Sequence, residues 1–544
     1  MLVLVVVPAM LIIVNSFETA APGQAPVYNL DGWRQALFDS GMITSVWNTF
    51  KLVFVRQAVT FPVAVLLAWV LARTDVPGSS WLEFMFWVAF FLPALPVTMG
   101  WIMLLDPQYG LLNQVFKLLP FIHGSVFNIY SFWGIVWAHF AGGTLAIQVM
   151  LMTTGFRNLD ASLEEASNVS GSSPFGTIRR IVVPVMTPVL TVVFVLSTIF
   201  ALNAFEIETV LGFPIRFFVF STQIYFSLQQ QPPLYAAAMA LSTIILAAVA
   251  PLIFLQRWAS TRRRFTTITG HFRVQKFHLR RWRGPVFAGA LLFGLMITVV
   301  PFTFLMLATF MKLLGFFNVP QPWTLDHWNQ VLHDPVFVRS VLNTLELGLG
   351  TVVAGVTLSL LIAYIVMRTK FIGRSLMDFA SWLPITFPGI ILSLGLLWLF
   401  VGTPILRGLY GTIVLLIAAT VVSSMTTTVQ LLKSNFAQLG VDLEEAARVE
   451  GGSWLQAMRR VLVPIVTPTL LLVGTLSFIS AARNVATVAL LSTGATRPLS
   501  LLQLDMMVQG SYESAAVVGV IVVVLTTGTA LVARLFGLGV SIGQ

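Results

Sequence analysis

Apolar runs of about twenty residues recur along the chain, separated by short polar stretches. A run of that length spans a hydrocarbon core of roughly 30 Å. Twelve runs qualify: residues 1–14, 44–72, 83–105, 127–154, 186–206 and 235–257, then 286–311, 341–367, 377–401, 408–432, 466–490 and 514–536. The pattern predicts an all-α polytopic membrane protein with about twelve transmembrane helices. The first run starts at Met1 without a charged flank, and makes only about 21 Å of helix at roughly 1.5 Å per residue. Ala20-Ala21 follow it as they would a signal peptide, but the basic n-region of such a peptide is missing. The preferred reading is a first helix whose cytoplasmic start lies outside this sequence.

Two of the polar stretches are copies of each other. Leu163–Pro188 reads LEEASNVSGSSPFGTIRRIVVPVMTP and Leu443–Pro468 reads LEEAARVEGGSWLQAMRRVLVPIVTP. The offset is 280 without gaps, and 13 of 26 positions are identical. An internal duplication settles the architecture before other features are read. Each copy predicts two short helices on a membrane surface. Ser162 with Glu165 forms a capping box, and Asp442 caps the second copy with Glu445 in the third position. Gly171 and Gly451 end the first helix, because glycine takes the left-handed conformation freely. Ser173-Pro174 and Ser453 start the next, which carries Arg179-Arg180 or Arg459-Arg460 and then meets Pro184 or Pro464.

The duplication extends into the spans. At an offset of 295, Asn48-Thr49 matches Asn343-Thr344, and Ala68-Trp69 with Arg73-Thr74 matches Ala363-Tyr364 with Arg368-Thr369. Leu92-Pro93 echoes Leu383-Pro384. The division expected is a first repeat over 1–258, a basic linker over 259–284 and a second repeat over 285–544. Parallel repeats of even span number are related by an axis along the membrane normal, with a pathway between them.

Glu165-Ala166-Ser167 with Gly171, and Glu445-Ala446-Ala447 with Gly451, each followed by Val-Pro, resemble the EAA loop of permease subunits of binding-protein-dependent ABC importers. Two copies in one chain resemble the fused permeases of the iron(III) type, and less closely those for thiamine or phosphonate. Asp106–Asn113, DPQYGLLN, is also similar to the iron group. The resemblance implies a type I importer permease fold of two parallel six-helix repeats. It implies coupling residues Glu164, Glu165, Ala166, Gly171, Glu444, Glu445, Ala446 and Gly451. Glu165 and Glu445 would fix their helices and pair with basic residues of an ATPase. The partners implied are a pair of ATP-binding subunits docking at both loops and an extracytoplasmic solute-binding protein. The cargo would be a small solute, with ferric iron first and thiamine, phosphonate or polyamine as alternatives. Ser167 departs from the pattern, small for small.

Composition agrees with the spans. The chain is 57% apolar and 10% charged, where soluble domains carry about 25% charged residues. The net charge of +10 sits in loops, the positive-inside pattern of a membrane protein rather than a nucleic-acid face. Nine basic residues lie between 257 and 283, which makes this segment cytoplasmic. Counting spans from it places both EAA-like loops and both termini on the cytoplasmic side of a bacterial inner membrane. The stretches 15–43, 106–126, 207–234, 312–340, 402–407 and 491–513 become the opposite loops.

There is no cysteine, and no Gly-Lys dipeptide, so the chain has no phosphate loop of the GxxxxGK[ST] kind. ATP would bind on the partner subunit, no cofactor on this chain, and the chain itself would be no enzyme. Ionisable residues within spans are the functional pointers of a membrane protein. His139, Glu206 and Arg483 are the candidate pathway residues, beside Glu208, Glu346, Lys51 and Arg56; for the charged side chains the alternative is interfacial snorkelling or pairing across the two halves. For His139 the alternative is a satisfied buried histidine. Ala486 stands where Glu206 has its counterpart, so no symmetric metal site is visible. An ion-coupled secondary transporter is the reading from another class. It would need acidic residues deep in both halves.

Overall fold

A computed structural model describes residues 2–159, 167, 169–171, 174–262, 276–317, 319–440 and 442–536. Among these the structure is helical, with isolated backbone bridges only. In the first repeat the main helices are α1 (Leu2–Asn15), α2 (Ser40–Arg73), α3 (Ser79–Phe91), α4 (Ala94–Leu105), α5 (Phe132–Phe140), α6 (Gly143–Arg157), α7 (Val183–Leu202), α8 (Phe220–Gln229) and α9 (Tyr235–Arg262). The second begins with α10 (Arg283–Ile297) and α11 (Val299–Thr309). It continues with α12 (Pro335–Arg368), α13 (Arg374–Trp382), α14 (Gly389–Gly402), α15 (Ile413–Gln438), α16 (Asp442–Val449), α17 (Val463–Arg483), α18 (Leu499–Val508) and α19 (Tyr512–Leu535). Among the described residues eight helical segments are long and apolar enough to cross a membrane, or up to twelve if each sharply bent pair is one span.

The set of crossings differs from the expected one in two ways. Spans three and nine are broken: α3 meets α4 at 103°, and Arg374–Thr386 meets α14 at 117°. Proline at the break removes a backbone donor and clashes with the preceding turn. Pro93 and Pro388 each stand immediately before the second helix, at the 295 offset. Pro388 is therefore the counterpart of Pro93, and Leu383-Pro384 forms a 3-10 turn ahead of it. The stretches 207–234 and 491–513, expected as loops, contain α8 and α18. Each has 10 residues, too few to register in a window of about twenty.

Residues group into two compact units that do not coincide with the repeats. Of the described residues, the first holds 2–45, 220–246 and those from 325 to 536; the second holds those of 46–219 and 247–324. In the first unit α12, α15 and α17 pack together, α19 lies on α17 and α18, and α1 lies on α14. In the second unit α3 and α7 pack on α6, and α11 lies on α4. The opening span of each repeat thus joins the broken span of the other. Two glycines at the 295 offset permit it. A Cβ on Gly395 would stand 2.9 Å from the Pro8 carbonyl oxygen, and one on Gly100 would stand 2.1 Å from that of Pro301.

Other contacts recur in both repeats. Asn48 donates to the Phe218 carbonyl at 3.0 Å, and Asn343 to those of Ala495 and Arg497, each at 3.0 Å. These bonds fix the crossing segments beyond α7 and α17. Glu83 pairs with Arg157, as Asp378 does with Lys433. The described end of the linker is tied down at Asp75. Its carboxylate accepts from the Leu279 N–H at 2.9 Å and meets His278 Nδ1 at 3.3 Å. The Leu279 bond, followed by the His278 contact, holds the Asp75 carboxyl below its ordinary pKa.

Candidate coupling surface and polar clusters in the spans

The second copy of the duplicated segment is described almost in full. Helix α16 begins at Asp442. Gly451 takes φ +79°, and the Gly452 N–H reaches back to the Ala447 carbonyl at 3.0 Å, a Schellman closure that needs glycine. Ser453 then starts the next turn. Its hydroxyl accepts the Gln456 N–H, and its own N–H donates to Gln456 Oε1 at 2.7 Å.

The second short helix is not a separate surface helix as expected. Trp454–Arg483 is one apolar helical segment of 30 residues, entering the membrane without a stop. Continuity is kept by a π-helical stretch, Met458–Leu462, immediately ahead of Pro464. Ile178–Val182 does the same ahead of Pro184. A proline inside a helix leaves the carbonyl four residues back without its donor. A wider π turn absorbs the fault. Both Arg-Arg pairs lie within these stretches.

The residue that ties α16 to the spans is Glu444. The Glu444 side chain is 7% exposed, 3.3 Å from Arg368 Nε at the end of α12. Tyr364 donates its hydroxyl to Glu444 Oε2 at 3.1 Å. Arg368 donates to the Leu439 carbonyl at 2.7 Å and the Phe436 carbonyl at 3.3 Å. Tyr364 also lies against the rings of Phe436 and Trp454. One guanidinium thus joins the ends of α12 and α15 to α16. Glu445 and Ala446 are exposed. Helical geometry separates adjacent side chains by about 100°, so the two glutamates cannot share a role.

In the first copy Glu164, Glu165 and Ala166, with the capping position Ser162, lie outside the described residues. Gly171 has φ +77°, matching Gly451. Arg73 donates to the Leu159 carbonyl at 3.1 Å, the contact Arg368 makes with Leu439 at the 280 offset. Ser167 is buried, and its hydroxyl meets that of Thr177 at 2.9 Å. In the other copy these positions are Ala447 and Ala457. The small-for-small change is therefore a paired one, two hydroxyls for two methyls. Val169 and Val449, equivalent positions, are 90% and 88% exposed.

His139 is a buried, partnered histidine. Its Nε2 lies 2.5 Å from Glu208 Oε1, with both side chains almost fully enclosed. Arg56, buried, bonds Thr144 on the neighbouring helix. Next to it Gln57 donates to Ser197 at 2.7 Å and Thr198 at 2.9 Å, and accepts from Gln148 at 2.9 Å. These bonds cross-link α2, α6 and α7. The second repeat fills the equivalent places with Thr351, Ala419 and Val488, all buried, and Thr351 bonds Thr420 at 2.7 Å. Glu208, named from the sequence only beside the pathway residues, is the partner of His139. Glu206 and Arg483 are half-buried. Among the described residues no group of three or more His, Asp or Glu side chains could hold a metal ion.

Comparison with known proteins adds the family. A probable ABC transporter permease, y4fN of Sinorhizobium fredii, is 25% identical over 488 residues, covering 87% of this chain and 83% of that protein. The ferric transport system permease FbpB of Actinobacillus pleuropneumoniae is 25% identical over 412 residues, 73% of this chain but 57% of that protein. A MalG maltose/maltodextrin permease of Vibrio parahaemolyticus is 25% identical over 47% of this chain. A solved bacterial ABC transporter that imports alginate is similar at 20% identity over 48% of this chain and 99% of that chain, with a TM-score of 0.38. The family model described as the binding-protein-dependent transport system inner membrane component matches residues 62–265 and again 355–541. These two matches take in most of both repeats, and the chain belongs to that family of ABC importer permeases.

Proposed function

We propose that this chain forms the membrane pathway of an ATP-driven importer, with ATP bound and hydrolysed on separate subunits. Two such subunits dock at the duplicated segments on the cytoplasmic side, where both termini also lie. An extracytoplasmic binding protein delivers the solute. The observation carrying this reading is that both copies present the same exposed valine, Val169 and Val449, above a helix that runs unbroken into a span. An exposed apolar side chain repeated at a duplicated surface is suited to a groove on a partner. Closure of the two partners would move each segment, and through the π-bridged helices the spans, so that the pathway faces alternate sides.

Ferric iron is the cargo we propose first. Its support is the resemblance of the duplicated loops and the FbpB relative, whose match runs through 73% of this chain; the MalG match takes in 47%. The test is uptake into proteoliposomes carrying the chain, its ATPase and its binding protein. Accumulation of ferric iron that needs both ATP and the binding protein is the result expected. Hydrolysis stimulated by the binding protein without iron entry keeps the importer and discards iron. Uptake that survives without ATP but collapses with the ion gradient would favour a secondary transporter, for which the buried Arg56, His139 and Glu208 are the groups to examine.

A further inference from the structure

Inside the first compact unit, α8 and α18 flank a polar cavity of about 270 Å³. Tyr225 and Gln229 line it from α8, and Thr493, Arg497, Asp505 and Gln509 from α18 and the segment around it. The 280 offset that relates the coupling segments also places Tyr225 on Asp505 and Gln229 on Gln509. The same two positions of both repeats therefore face one cavity. An incidental surface dent has no reason to be lined twice by equivalent positions. A passage between two parallel repeats does, because the axis relating them runs along it.

The lining specifies what would be handled there. Arg497 Nε and Asp505 Oδ2 lie 3.2 Å apart, each side chain about a quarter to a third exposed. One cation and one anion leave no net field to hold a bare ion. A hard metal ion asks for several anionic oxygens, and the cavity has one carboxylate, already paired. What it offers instead is donors and acceptors side by side: two amides, hydroxyls, a guanidinium and a carboxylate. Such a set hydrogen-bonds a surface that carries many oxygens.

We propose that this cavity is a cargo-contact site for an oxygen-rich small solute, and that the Arg497–Asp505 pair parts as the solute enters. Two sources share that chemistry, a free polyol and a hydroxy-acid shell around a ferric ion. The inference rests on the importer reading.

The chain has no cysteine, so Gln229→Cys and Gln509→Cys each add one unique thiol. They would be reacted with a membrane-impermeant thiol reagent in the full complex in proteoliposomes, resting and vanadate-trapped. Labelling rates that differ by about tenfold between the two states are expected, since burial and opening of a side chain trade about 1.4 kcal/mol per decade. Slowing of the reaction by ferric citrate assigns the chelate, and slowing by glucose assigns the polyol. In the Q229A/Q509A double variant, solute moved per ATP should fall about tenfold, as for one or two lost hydrogen bonds, with hydrolysis still stimulated by the binding protein. Equal labelling in both states, protection by neither probe, or unchanged solute per ATP would each overturn the site. A wild-type complex without binding-protein-stimulated hydrolysis would instead overturn the importer reading.

Discussion

Adjacent glutamates in the duplicated segment carry different loads. Glu444 is enclosed against Arg368 and Tyr364, while Glu445 faces outward. Removing one partner of a buried pair leaves an uncompensated charge and costs about 3–5 kcal/mol. Glu444→Ala should therefore lower the thermal stability of the purified protein clearly. Glu445→Ala should stay within about 0.5 kcal/mol of wild type, as an exposed change does, yet weaken ATPase stimulation. Equal stability losses in the two variants would refute this division. Glu-Glu was legible as a capping pattern in the sequence. Which glutamate turns inward was not, because that depends on Arg368, 76 positions earlier. Asp75 offers a pH-dependent counterpart at the linker. Its carboxyl is held below the ordinary value, so its bond to Leu279 is complete above pH of about 4 and is lost as pH falls through the depressed value. Hydrogen exchange at the Leu279 amide should accelerate at pH near 3 beyond the change in a D75N variant.

The helices that follow the coupling segments owe their continuity to a local fault. Pro184 and Pro464 read in the sequence as the ends of short helices, since proline removes a donor. The π stretches Ile178–Val182 and Met458–Leu462 carry the helix past them. Replacing Pro464 with Ala restores the missing N–H and allows ordinary α turns. One residue of register, about 100°, would then rotate α16 relative to α17. P464A is expected to insert and to keep ATP hydrolysis while losing most uptake. A normal ratio of solute to ATP in P464A would mean that the π stretch has no part in coupling. The paired change of Ser167 and Thr177 to Ala447 and Ala457 belongs to the same level. Two short segments are held together by hydroxyls in one copy and by small apolar contact in the other.

Across the fold, the exchange of opening spans rests on two glycines. A Cβ at residue 100 would meet a backbone carbonyl that cannot swing away, at 2.1 Å. The corresponding clearance at Gly395 is 2.9 Å. Overpacking typically costs about 1–3 kcal/mol, occasionally more. Gly100→Ala should therefore reduce the yield of monodisperse protein more than Gly395→Ala; the reverse order would contradict the packing described. The exchange also bears on the repeat boundaries at 258 and 285. Duplicated sequence lies on either side of them, yet each compact unit draws helices from both sides.

The recurrence of twenty-residue apolar runs, the 280 offset and the 13 identities were enough to establish a duplicated polytopic membrane protein. Those signals are local or strictly periodic, and a linear chain displays them in full. The partner of His139, the inward turn of Glu444 and the swapped packing of α1 and α11 are long-range relations. So is the meeting of Tyr225 with Asp505 at one cavity, where hydropathy windows had read only loops. A span is dictated by the cost of an unsatisfied backbone in lipid, and that cost is the same wherever the span goes. Where it goes is set by close approach and hydrogen bonding among side chains far apart in sequence, and these exist only once the helices have packed.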